Sequence, residues 1–373
     1  MKELSLITRT KGNSTIIFVA LMLILVTLGI YLQQQNKRTS DTLPEFENLI
    51  VLPKPKALGE VNFQTHTGQP FSQQNLLGKW TILFFAFTNC PDICPSTLHT
   101  LKQVKSQLEP TGAWDAFQVA MITVDPERDS LERMRQYVPF FDKEFIGLRG
   151  ALSYTEQFAK NVGILFFKRD VLENGEYDVD HGASLILVNP EGLYAGVIPG
   201  PHKVASIKED LNKLGLHSIK KGDINTNQTF DNGDKGTVDN PETSQPASDV
   251  SDSALTASNA WIRTAPPGAP AMAGYVTLKN QGNSPISIIG VTSPEFKMAM
   301  IHNTVIENGV ASMDHLDEIT LNSRETKVLE PMGMHLMLVG ANKDIAEGDI
   351  VSVELELEDG NTTSFELVVK TSN

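Results

Sequence analysis

Along the first half of the chain, continuous apolar runs alternate with stretches in which apolar residues recur every three or four positions. Trp80 to Phe87 (WTILFFAF) and Phe117 to Val124 (FQVAMITV) have the length and β-branched, aromatic character of strands buried on both faces. After the first run, Leu98, Leu101, Val104 and Leu108 recur at helical spacing. Ser130 opens a second predicted helix carrying Leu131, Met134 and Tyr137, and Tyr154 to Val162 reads as a third. Ala183 to Val188 and Leu193 to Ile198 predict strands joined at Asn189-Pro190-Glu191-Gly192, a turn signal. Val204 to Leu214 then closes the unit as an amphipathic helix. Strands alternating with helices predict an α/β layer fold over residues 59–219.

The pattern changes twice more towards the carboxyl end. Residues 220–253 are dominated by Asn, Asp, Thr, Ser, Gly and Pro, and such a stretch buries too little apolar surface to offset chain entropy, so a flexible acidic linker is expected. Beyond it, over 254–373, helical periodicity is lost. Tyr275–Asn280, Ile286–Val291, Met334–Val339, Val351–Leu357 and Phe365–Val369 read as short strands, and Asn308-Gly309 and Asp359-Gly360 as hairpin turns. Strands without helices predict a small antiparallel, all-β sandwich.

At the amino end, residues 16–32 form 17 positions without a charge, at the short end of what spans a bilayer. Lys2, Arg9 and Lys11 precede this run, and no small-x-small cleavage site follows it. Residues 1–38 are therefore expected to be a cytoplasmic tail and an uncleaved N-terminal transmembrane helix, with 39–58 a proline-bearing spacer. Everything beyond would lie outside the cytoplasm. A net charge of −14 argues against nucleic acid as a partner. No phosphate-binding glycine loop, Ser-His-Asp pattern or zinc-spaced cluster is present.

Cys90 and Cys94 are the only cysteines in 373 residues, too few for a disulfide framework. They sit where a buried strand turns into a helix, and a helix N-terminus favours thiolate over thiol. A disulfide or a soft metal such as Cu(I) would suit the pair. The three intervening residues, Pro91, Asp92 and Ile93, depart from the two usual in a redox pair. His181 lies right before a predicted strand, and by itself a lone histidine is more often structural than a ligand.

Phe87-Thr-Asn-Cys90-Pro-Asp-Ile-Cys94-Pro95, Val124-Asp125-Pro126-Glu127-Arg128-Asp129 and Val179-Asp180-His181 together resemble the Sco/SenC family, in family order, over about residues 52–217. Gly182 stands where that family often has serine. The resemblance implies a thioredoxin-like fold, a membrane anchor, and Cys90, Cys94 and His181 as copper ligands. It also implies a role in maturing the CuA centre of cytochrome c oxidase.

The sandwich holds a second set of soft groups: His302, Met313, His335 and Met337. Thioether with imidazole suits Cu(I), although methionines also fill cores. Their order, with Trp261–Gly268 and Tyr275–Asn280, resembles the PCuAC copper chaperone family over about residues 258–369. That resemblance implies a cupredoxin-like sandwich that binds Cu(I) and passes it on through those four residues. Met298, Met300, Met332, Met334 and His315 are additional soft groups nearby; His66, His99, His202 and His217 have no convergent partners.

The expectation is a metallochaperone rather than an enzyme, anchored in a bacterial inner membrane by one helix, with both copper domains in the periplasm. The copper-bearing subunit of cytochrome c oxidase would receive the metal, alongside other periplasmic copper or thiol-redox proteins. A thiol-disulfide reductase using Cys90 and Cys94, and a copper buffer or sensor, are the rival readings.

Overall fold

The computed structural model describes residues 18–29, 43–171, 177–222, 224 and 254–371. The chain divides into two compact units, Met1–Glu45 and Phe46–Asn373. In the first, residues 18–29 form a helix with exposed Phe, Leu, Ile and Val side chains. At 1.5 Å per residue it is about 18 Å long, against a hydrocarbon core of about 30 Å. Among the described residues no helix is long and apolar enough to cross a membrane. The other positions of the expected span, 16–17 and 30–32, lie outside the described residues, as do 223 and 225–253 of the expected linker.

The second unit begins with an eight-stranded sheet. Its centre is Trp80–Ala86, Phe117–Thr123 and Ile146–Arg149, all parallel. Every residue of Trp80–Ala86 is buried, as its unbroken apolar run requires. Antiparallel strands extend both sides: Leu185–Val188, Leu193–Ile198 and Ile50–Ala57 on one, Asn62–Thr65 and Pro70–Ser72 on the other. Helices Ile93–Leu108, Leu131–Phe141, Leu152–Asn161 and Val204–Lys221 complete the layers.

Three expectations need correction. Part of the presumed spacer, Ile50–Ala57, is an edge strand; Pro53 and Pro55 are compatible with an edge because no ladder donor is demanded on the open side. The backbone just before it is fastened as well, since Glu47, Asn48 and Leu49 donate to the buried Asp210 carboxylate at 2.7–2.8 Å. The closing helix runs past Leu214 to Lys221 and ends on Gly222, whose φ of 76° suits a residue without a Cβ.

The third correction concerns the sandwich. It is all-β, but Leu255–Arg263 pairs in parallel with Thr362–Lys370, so it is not purely antiparallel. Its sheet also does not stop at its own strands. Val310–Leu316 pairs with Val179–Gly182, which pairs with Phe166–Lys168, so two strands of the α/β domain extend the sandwich sheet. The core of the α/β domain accordingly takes in Ala311 and Met313, while a separate core fills the sandwich.

Candidate metal centre

Strand Trp80–Ala86 delivers the chain to a tight turn, and helix Ile93–Leu108 receives it. The turn is held from behind by the Asp125–Asp129 motif. Buried Asp129 accepts from the Thr88 backbone at 3.1 Å, from the Thr88 hydroxyl at 2.5 Å and from the Thr123 hydroxyl at 2.6 Å. Asp125 accepts from Arg128 at 2.5 Å and from the Tyr177 hydroxyl at 2.9 Å, and the Arg128 guanidinium stacks 3.5 Å over the Tyr177 ring. Asp129→Ala is expected to lower the unfolding free energy by about 3 kcal/mol, because buried donors left unpaired cost about 1–3 kcal/mol each. Chemical denaturation measures this; an unchanged midpoint would remove Asp129 as the brace of the turn.

Cys90 and Cys94 are both free and buried. With His181 they offer three ligand atoms all within 4.8 Å of one another. The Cys94 backbone N–H points at Cys90 Sγ at 3.4 Å, and Cys94 Sγ lies 3.5 Å from His181 Nε2. His181 Nδ1 donates to the Gly182 carbonyl at 3.2 Å, which leaves Nε2 as the ring nitrogen on the side of the sulfurs. Phe84 and Phe87 pack edge-on against the imidazole. His181, expected just before a strand, lies on strand Val179–Gly182 itself.

Burial opposes a charge on either sulfur, yet the hydrogen bond from Cys94 and the neighbouring His181 bring the Cys90 thiol down to about 5. Burial and the adjacent Cys90 push Cys94 well above the usual thiol range. The two sulfurs are thus pushed in opposite directions, Cys90 towards the thiolate and Cys94 towards the thiol.

In the sandwich, strands Phe296–Glu307, Val310–Leu316 and Met334–Ala341 lie side by side. Their register sets His302 opposite both His335 and His315, Met300 opposite Met337, and Thr304 opposite Met313. Side chains alternate between faces, so all four expected ligands share one face. The His302 ring lies 6.0 Å from that of His335 and 5.5 Å from that of His315. Burial, and after it the nearby His335, lowers the His302 pKa to about 3, keeping it a neutral donor. His302 Nδ1 and His335 Nε2 are buried nitrogens without a hydrogen-bond partner, while His335 Nδ1 donates to the Gly333 carbonyl at 3.0 Å. Buried imidazole nitrogens are ordinarily satisfied, so an unpaired couple beside two thioethers fits a soft metal ion.

Met298, Met300 and His315 line the same cavity, of about 340 Å³, as His302, Met313 and Met337. Met334 instead packs against the sandwich core, and Met332 contributes its backbone rather than its sulfur. His66 and His202 have structural bonds, to Gly147 and to Thr97 and Ile198, and His99 packs on Phe141. Asp92, Arg263, Tyr275 and Thr304, which join the cysteine turn to the sandwich, were not among the expected site residues. The only signal for them was their position inside the quoted motifs and neighbouring strands.

Residues 53–215 match the SCO1/SenC family model, and residues 255–369 match the family described as "Putative lipoprotein LpqE-like". A Stutzerimonas stutzeri protein named "Putative copper-binding protein" is 35% identical over 167 residues, covering 45% of this chain and 81% of that one. The human "Protein SCO2 homolog, mitochondrial" is 36% identical over 136 residues, covering 36% of this chain and 51% of the relative. The chain thus spans about half the length of that mitochondrial relative. Among solved structures, copper-bound ScoI of Arabidopsis thaliana aligns with a TM-score of 0.40 and 30% identity, over 42% of this chain and 98% of its own. The copper-bound PCuAC domain from PmoF2 aligns with a TM-score of 0.29 and 20% identity, over 33% and 97%. The alternating α/β order, the converging Cys90, Cys94 and His181, the family-model match and the 35% identical relative lead to one assignment: the chain belongs to the SCO1/SenC family and carries a second, LpqE-like domain.

Proposed function

We propose that this protein is a copper metallochaperone with two copper sites, the first made by Cys90, Cys94 and His181 and the second by His302, Met313, His335 and Met337. The observation that carries this reading is the convergence of two buried free thiols and one imidazole within 4.8 Å. Copper is the cargo. Two sulfurs hold Cu(I), and the added imidazole also accommodates Cu(II). In the second site the unpaired His302 and His335 nitrogens and two thioethers form a thiol-free Cu(I) set that resists oxidation to a disulfide.

The family assignment supports delivery towards the CuA centre of cytochrome c oxidase, and the uncharged run at 16–32 supports a single-pass anchor in a bacterial inner membrane with both domains in the periplasm. The test is the His181→Ala variant. It is expected to lose the thiolate-to-Cu(II) charge-transfer absorption while keeping Cu(I) on the two sulfurs. An unchanged Cu(II) spectrum would remove His181 from the site. The depressed Cys90 thiol favours one second reading, a reductase that keeps a partner's copper-site cysteines reduced. In that case His181→Ala would retain full activity towards a disulfide substrate.

A further inference from the structure

Copper binding leaves unexplained the residue between the two cysteines. Asp92 is fully buried and stands at the N-cap of helix Ile93–Leu108, yet its side chain makes no capping bond there. An aspartate at that position ordinarily accepts from the first-turn N–H groups. Instead its carboxylate is turned towards the sandwich. Oδ1 accepts from the Tyr275 hydroxyl at 2.9 Å, and Oδ2 accepts from the Thr304 hydroxyl and the Met332 backbone N–H, each at 2.9 Å. From its own helix it receives only the Ser96 hydroxyl, at 3.2 Å.

Arg263 of the sandwich completes the cradle. Its guanidinium lies 4.0 Å from Oδ1 and donates to the Asp92 carbonyl at 3.4 Å and to the Ser96 hydroxyl. Met332 takes part from a φ of 64°, a left-handed backbone that non-glycine residues rarely adopt. A buried carboxylate is costly without partners, and here most of its partners belong to the other domain.

The same docking brings the two sites into one neighbourhood. His181 is paired with Ala311 across the shared ladder, and Met313 follows two residues later on the same face. Asn89, the residue before Cys90, lines the cavity that Met300, His302, Met313 and Met337 also line.

Resting on the copper reading above, we infer that Asp92 is a docking residue: it holds the cysteine turn against the sandwich so that Cu(I) passes between the two sites within one molecule. The metal keeps its oxidation state in that step. Its bonds to imidazole and thioether break, bonds to the Cys90 and Cys94 sulfurs form, and each thiol proton displaced leaves to solvent. Direction follows from softness, because two thiolates hold Cu(I) more tightly than thioethers and imidazoles.

The test uses the full chain with Cys90 and Cys94 oxidised to a disulfide, so that one equivalent of Cu(I) loads the sandwich. A phosphine then reduces the disulfide, and the thiolate-to-Cu(I) absorption in the near ultraviolet follows the arrival of metal. The parent is expected to transfer at a rate independent of protein concentration. Asp92→Asn should slow transfer at least tenfold and make it concentration-dependent, while Cu(I) affinity at the cysteine site stays within about twofold. Because Asp92 Oδ2 also lies 3.7 Å from His335 Nδ1, sandwich affinity is measured alongside and the control is a variant farther from the ligands. Tyr275→Phe, which removes one sandwich donor and touches neither metal site, should slow it in the same direction. Hydrogen exchange should quicken in Val179–Gly182 and Val310–Leu316 of the Asp92 variant, a change that a purely local role for Asp92 would not produce. Unchanged transfer rates in both variants, with binding intact, would overturn the docking role alone. Failure of the parent to bind copper at either site would overturn the copper reading, and this inference with it.

Discussion

Cys94→Ala is expected to lower Cu(I) affinity at the first site by more than about 100-fold, beyond the 10–100-fold that loss of a mere outer-sphere partner costs a metal site. The variant leaves one sulfur and one imidazole where three ligand atoms lay within 4.8 Å. It also removes the Cys94 side-chain hydrogen bond that favours a Cys90 thiolate, while the backbone N–H of position 94 still points at Cys90 Sγ. Folding should survive, because position 94 lies in the first turn of helix Ile93–Leu108 and alanine is the strongest helix former. Competition against a chromogenic Cu(I) chelator measures the effect, with the sandwich site silenced in the same protein. Affinity within tenfold of the parent would mean that Cys94 is a buried thiol beside the site and not a ligand.

The second large effect is expected from the methionines. Met313→Leu with Met337→Leu should reduce Cu(I) affinity of the sandwich by about 100-fold, each lost thioether counting for at least the tenfold of an outer-sphere contact. Stability should change little, since leucine conserves volume and such swaps usually cost less than about 1.5 kcal/mol. Met313 is the sharper of the two tests. It is only 5% exposed and packs with the core of the neighbouring α/β domain, so a packing role is a serious competitor to a ligand role. The two roles separate cleanly in the double variant. Retained affinity with a lowered unfolding midpoint would assign both methionines to packing.

Part of this site was legible before any coordinates, for a local reason. A strand-turn-helix signature spans about 30 residues, so Cys90 and Cys94 could be set on a strand-to-helix turn from apolar spacing alone. The strand pattern likewise puts His335 and Met337 on one face. His181 is different. It lies 87 positions from Cys94, and in isolation a lone histidine is more often structural than a ligand. Only the resemblance to a family joined it to the cysteines, and the fold then brought its Nε2 to 3.5 Å from Cys94 Sγ.

What the chain determines by itself is therefore what short-range periodicity and residue type can encode: the α/β order of the first domain, the strand content of the second, and the soft donors available to each site. Tertiary structure decided which of those donors meet, and what stands between the two domains. Ile50–Ala57 joins a sheet because its partner, Leu193–Ile198, offers a free edge some 140 residues later, and prolines do not announce such a strand. Asp92 stands at the N-cap of its helix, yet its carboxylate is satisfied by Tyr275, Thr304 and the Met332 backbone, 183, 212 and 240 positions away. No local pattern carries such a pairing, because a buried carboxylate takes whichever donors the folded chain brings to it, and those donors are gathered only when two separate cores pack along one shared sheet.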